Sequence, residues 1–326
     1  MDGFPEKQWR QDAIWAVIVL VAAISFLFDF SVNVYRTITG EGAGEVQPPE
    51  ISGHYVRVIT VVLSGGTLVL LCYAAAMIVG VGLFRKAEAE PPAWNLWDVA
   101  RAAAASYLGS SALAYVILAA ASLIGEGRLA VDASAPSAVI VYTLVLHVVI
   151  VVLAVAFAGA RGGSPSSMGF TRQRWIRDLL HGVLGWLAVL PVFYGVAALV
   201  MWALTELGIE PRYSPVYPAL REAGRPWLKW LIIITVSVIG PVTEEVFFRG
   251  FLYPALRSRL SVVAAIALNA LLFALIHQSI SDILPIFVLG AAMAFLFEKT
   301  GSLVPCSVFH VCHNASQMVI FLLMME

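Results

Sequence analysis

Charge is what this sequence has least of. Asp, Glu, Lys and Arg make up 13% of its 326 residues, where ordinary soluble domains carry about 25%. Its 20 basic and 21 acidic residues leave a formal net charge of −1. No basic face is available to track phosphates, which argues against a nucleic-acid partner. Cysteine is equally sparse: Cys72, Cys306 and Cys312 stand apart in apolar blocks, without the spacing of a disulfide framework or a zinc knuckle. No His-Glu-x-x-His pair occurs, so the zinc site built from two imidazoles on one helix face is absent. There is no internal repeat and no low-complexity tract.

What fills the sequence instead is hydrocarbon. Hydrophobic residues reach 60% and lie in long blocks, and a membrane span needs about 20 of them in a row. Blocks at 13–34, 58–84, 102–124, 138–160, 179–205, 228–254, 261–278, 283–297 and 303–325 meet or approach that length. The expected fold is an all-α, polytopic transmembrane helical bundle of eight to nine spans. The first block reads as an anchor, because its apolar run is too long for a signal peptide and no small-residue cleavage site follows. The loop at 161–178, with Gly162, Gly163, Ser164 and Pro165, divides the chain. Residues 1–177 form an N-terminal transmembrane region of unassigned function, and 178–326 the part that carries chemistry.

Three polar islands interrupt the later blocks. Glu244 and Glu245 stand side by side with Arg249 four residues beyond; His277 follows Phe273-Ala274-Leu275-Ile276; and His310 and Asn314 flank Val311-Cys312-His313. Ionisable residues at membrane depth are costly unless paired or facing water, so each island is a candidate site. If blocks six and seven form a hairpin turning near Leu260, Glu244 lies 16 residues before the turn and His277 lies 17 after it. That is about 24 Å along each helix. His310 and Asn314 lie roughly 12–18 Å into the last block from the same side, so three helices can gather these groups around one cavity. Glu245 and Arg249 share a helix face and can pair, which leaves Glu244 for chemistry. On the face shared by His310 and Asn314, the amide can orient the imidazole or donate to a developing oxyanion. A buried carboxylate is suited to take a proton from water, and the two histidines can bind a metal, position the water or protonate a leaving amine.

Each island also has a plainer reading. Adjacent glutamates with an arginine form solvated caps and surface ion pairs, and His277 can be an interfacial histidine. His313 points away from the His310 face and reads as structural. His147 lies mid-span with no acidic neighbour in sequence and reads as a packing or interhelical hydrogen-bonding residue. His54 and His181 belong to no constellation.

Taken together, Glu244-Glu245-x-x-x-Arg249, Phe273-x-x-x-His277 and His310-x-x-x-Asn314 resemble the motif set of the CPBP family. These are the Rce1-like CAAX prenyl endopeptidases and their bacterial relatives, also called Abi. The resemblance covers roughly 228–324, and the first five blocks carry no matching motif. It implies an intramembrane endopeptidase in a bacterial cell membrane, acting on a peptide or protein substrate that is prenylated or membrane-embedded, with membrane lipid as its surroundings. By motif position Glu244 and His277 would activate the water, His310 and Asn314 would stabilise the oxyanion, and Glu245 and Arg249 would support the framework. The family is described both as metallo-type and as glutamate-type, which leaves the cofactor open. If zinc is bound, Glu244, His277 and His310 are its ligands, with one position left for water. The alternatives are a non-proteolytic scaffold or bacteriocin-immunity protein, or a proton-coupled transporter. A transporter would more often show paired halves with interrupted helices, and no such symmetry is visible.

The loops set an orientation. Arg161, Arg172, Arg174 and Arg177 make the most basic connection, which the positive-inside rule places in the cytoplasm together with the N-terminus. A cysteine introduced at Gly163 is therefore expected to react with impermeant thiol reagents only from the cytoplasmic side, and one at Gly224 only from outside. Reversed accessibility overturns the orientation.

Overall fold

A computed structural model describes residues 4–39, 61, 63–69, 71, 91–124, 136–171, 175–209 and 216–324. Among the described residues there are helices and no strand. The helices are α1 (Phe4–Thr39), α2 (Leu96–Ile124), α3 (Pro136–Ala160), α4 (Trp175–Glu206), the short α5 (Val216–Glu222), α6 (Pro226–Arg257), α7 (Val262–Leu275), α8 (Ile283–Thr300) and α9 (Leu303–Met324). Seven of them are long and apolar enough to cross a membrane. Their outer faces expose Ile14, Leu20, Phe28, Val116, Val152, Leu199 and many like them, a surface suited to lipid tails rather than to water. The polytopic helical bundle is therefore the fold.

One block departs from expectation. Residues 261–278 yield α7, which is 14 residues long and falls short of the roughly 20 that a full span requires. Ser261 caps its start by accepting from the Ala264 amide at 3.3 Å. Its end is set by Gln278, whose φ of 52° lies in the left-handed region that a helix cannot continue through. The hairpin of α6 and α7 is real, but its arms are unequal. The block at 58–84 lies largely outside the described residues.

The long arm of that hairpin is irregular, and the irregularity has a cause. Two π turns, Thr235–Ile239 and Val246–Leu252, flank the short α-helical stretch Gly240–Glu245. Each ends two residues before a proline, Pro241 or Pro254, which has no N–H to return to the preceding turn. The Val236 carbonyl faces Pro241 in the π register and so needs a donor from elsewhere. Side chains of three other segments reach carbonyls of this helix: Asn314 Nδ2 donates to Val236 at 3.0 Å, Asn269 Nδ2 to Phe248 at 2.8 Å beside the Tyr253 N–H, and Trp94 Nε1 to Phe251 at 2.7 Å. The core gathers around this helix, with Phe247, Phe248, Phe251, Phe273, Met293 and Phe309 buried together.

The N-terminal helices dock on the same scaffold. Asp98, buried at the start of α2, accepts from Arg161 at 2.8 Å, while Arg101 pairs with Asp12 of α1 and lies over the rings of Trp15 and Trp97. Toward its other end α1 places Asn33 Nδ2 2.7 Å from Gln278 Oε1, on the residue that follows His277.

Trp94 both stacks on Phe251, with ring centroids 5.4 Å apart, and donates to its carbonyl. Trp94→Phe keeps an aromatic ring but removes that buried hydrogen bond, a change worth about 0.5–1.5 kcal/mol. A lower melting temperature of the detergent-solubilised protein is expected. An unchanged one means the carbonyl is not dependent on the indole.

Candidate active site

The site is built outward from a buried cation. Arg249, on the second π turn of α6, is fully enclosed, and so is Glu245 one turn earlier. Arg249 Nη1 donates to Glu245 Oε1 at 2.9 Å, Nη2 donates to the Gly290 carbonyl of α8 at 3.0 Å, and the guanidinium lies 4.5 Å from the centroid of the Phe273 ring. An arginine in an apolar core is tolerated only when its charge is neutralised and its donors are used. Gly290 permits the approach. A Cβ there would stand 3.1 Å from Ala270 Cα and 3.2 Å from the Phe273 ring.

Glu245 does more than balance Arg249. Its Oε1 also receives His310 Nδ1 at 2.9 Å. A carboxylate only accepts, so Nδ1 of His310 carries the hydrogen and Nε2 is turned toward Glu244 Oε2, 3.8 Å away. The imidazole is thus oriented by Glu245 from across the bundle. Asn314, one turn along α9 and expected either to orient that imidazole or to donate to an oxyanion, sends its amide to Val236.

His277 falls just beyond the end of α7, where it is exposed. Its Nδ1 lies 2.8 Å from the Phe273 carbonyl; a carbonyl accepts, so Nδ1 donates and Nε2 is left available. Phe273 has a second task, packing edge-to-face on both imidazoles, with ring centroids 5.0 Å from His277 and 5.6 Å from His310. Asp282 stands beyond His277 at the start of α8. Burial pushes its carboxyl above the usual range, against the opposing pull of hydrogen bonds from Ser279 and Ser281 and of the His277 charge.

The structure therefore brings Glu244, Glu245, Arg249, His277, His310 and Asn314 into one neighbourhood, with Glu244 in electrostatic reach of His310, His277, His147 and Arg249. His147, expected as a packing or interhelical hydrogen-bonding residue, makes such a bond beside the cluster. Its Nδ1 lies 2.7 Å from Thr243 Oγ1, and its ring is buried against α6. The signal was a lone imidazole in the middle of α3, which resembles any interhelical hydrogen-bonding residue. His313 packs edge-to-face on Phe193 at 4.6 Å, away from the cluster.

Among the described residues no group of three His, Cys, Asp or Glu side chains is disposed to hold a metal ion. The arrangement suits proton transfer between a carboxylate and oriented imidazoles.

Comparison with known proteins falls on the same segment. Residues 226–316 match the family model for type II CAAX prenyl endopeptidase, Rce1-like. A protein of Bacillus subtilis (strain 168), named "Putative membrane peptidase YdiL", is 30% identical over 70 residues, which is 22% of this chain and 29% of that relative. No solved structure matches. The matched stretch holds all three polar islands and every side chain of the cluster except His147, and over residues 226–316 the chain is similar to the Rce1-like proteins of the CPBP family.

Proposed function

We propose that the protein is an intramembrane endopeptidase that hydrolyses a peptide bond with a water activated by Glu244. The observation that carries this reading is the relay from Arg249 through Glu245 to His310. Three buried groups are joined by hydrogen bonds, and the relay ends at the Glu244 carboxylate, which is 21% exposed and makes no hydrogen bond among the described residues. A structural ion pair has no need of that fourth group. The family match over 226–316 supports the same reading.

In the proposed reaction, water lies between Glu244 and Nε2 of His277. As its oxygen bonds to the carbonyl carbon, its proton passes to Glu244. The oxyanion is met by the second N–H of the Asn314 amide and by His310 Nε2 in the imidazolium form. Collapse breaks the C–N bond, and the proton on Glu244 goes to the leaving amine. The substrate is a hydrophobic peptide reached within the membrane, and a prenylated C-terminal peptide is the first candidate.

The two glutamates are expected to differ when each is changed to glutamine. Glu244→Gln keeps shape and hydrogen bonding but removes the base, so turnover should fall about 10²–10⁴-fold with folding intact. Glu245→Gln leaves the buried Arg249 charge uncompensated, which costs about 3–5 kcal/mol and should appear as lost yield or a lower melting temperature. Purified variants compared for yield, melting temperature and peptide cleavage decide the matter. Roles are reversed if Glu244→Gln cleaves normally while Glu245→Gln is stable and inactive; normal cleavage by both removes the protease reading.

A further inference from the structure

Glu244 has no hydrogen bond of its own among the described residues; its polar contact is His310 Nε2 at 3.8 Å. Something else must fix where its carboxylate points. The stretch that carries it, Gly240–Glu245, is six residues long and has a π turn on each side. So short a segment has little regular helix to hold its rotation about the axis, and an external pin is needed.

Such a pin is present at Thr243, the residue before Glu244. Its Oγ1 lies 2.9 Å from both the Ile239 and the Gly240 carbonyls and 2.7 Å from His147 Nδ1. Carbonyls can only accept; with the hydroxyl proton directed to one of them, Nδ1 of His147 is the donor to Oγ1. The imidazole is seated against the same face: a Cβ on Gly240 would stand 3.1 Å from His147 Nε2, closer than ordinary contact, so the ring would have to shift. Gly240 and Thr243, three residues apart, thus form a socket for one ring. That ring comes from α3, otherwise an almost wholly apolar helix, where an imidazole 8% exposed contributes nothing to packing that a leucine would not.

We propose that His147 is a positioning residue for the peptidase reaction, holding Glu244 in place through its hydrogen bond to Thr243. The proposal rests on the protease reading for its kinetic consequences, not for the hydrogen bond itself. It gives the region before residue 177 a part in the site, although the family match begins at residue 226.

The test uses the full-length purified protein and a hydrophobic or prenylated peptide. His147→Leu should lower kcat roughly 10- to 100-fold, the scale of loss when a reacting group is misplaced by about 1 Å, with KM little changed. His147→Asn places an amide N–H near the position of Nδ1 and should restore most of the rate, whereas His147→Gln places it near Nε2 and should not. The double variant His147→Leu/Thr243→Val should be no slower than the slower single variant, since both changes break one bond. Multiplied losses, or rescue by Gln and not Asn, overturn the proposal. So does full activity in His147→Leu. The bond is also read without turnover: in protein labelled with nitrogen-15 histidine, the signal missing from His147→Asn should report hydrogen on Nδ1 and shift in Thr243→Val. An unshifted signal sinks the proposal even if no peptide is cleaved, while a shifted signal with no cleavage by the wild-type protein points to failure of the protease reading alone.

Discussion

Burying one arginine among apolar side chains is the constraint from which the rest of the site follows. Arg249 requires a carboxylate, a carbonyl and an aromatic face, and it takes them from α6, α8 and α7 respectively. Once Glu245 is committed to that charge it is rigid, and a rigid carboxylate can hold an imidazole. His310 is therefore placed by a group whose first duty is electrostatic neutrality. Phe273 is shared in the same way, offering its face to the guanidinium and its edges to two histidines. Removing any one of these groups leaves another buried and unsatisfied, which is why the stabilising and chemical duties of the cluster are inseparable in space but separable by residue.

How much of this was legible beforehand depends on the distance over which each signal acts. The pair Glu245 and Arg249 is a four-residue spacing on one helix, and it pairs as that spacing requires. The convergence of α6, α7 and α9 followed from apolar lengths and a turn near Leu260. The orientation of His310 was a different matter: Asn314 is its neighbour along α9, but the partner that wins is Glu245, 65 residues away, a contest that sequence spacing cannot decide. The short reach of α7 turned on a single left-handed residue, Gln278, inside a block whose hydropathy continues past it. His147 was hidden for a related reason. Nothing in α3 marks which of its faces meets α6, and a histidine on the lipid side would read identically in the chain.

The π turns were also absent from the expectation, although their cause was in view. Pro241 and Pro254 stand inside an apolar run long enough to span, and each removes one donor from the helix ladder. What the run alone does not reveal is the response, namely that Asn314 supplies a donor to Val236 and that Asn269 and Trp94 also reach carbonyls of this helix. An isolated asparagine in an apolar helix looks like a blemish until its acceptor is known.

Those borrowed donors impose an order on how the protein is made. When α6 leaves the ribosome, Trp94 has already been synthesised, but the donor to Phe248 comes 21 residues later and the donor to Val236 comes 78 residues later. Until α9 is inserted, α6 must sit in the bilayer with a bare carbonyl beside the future site, and His310 travels on that same final helix. The stretch around Glu244 is therefore the last part of the molecule to become rigid during biogenesis, and a chain interrupted before α9 would hold its two glutamates without the geometry to use them.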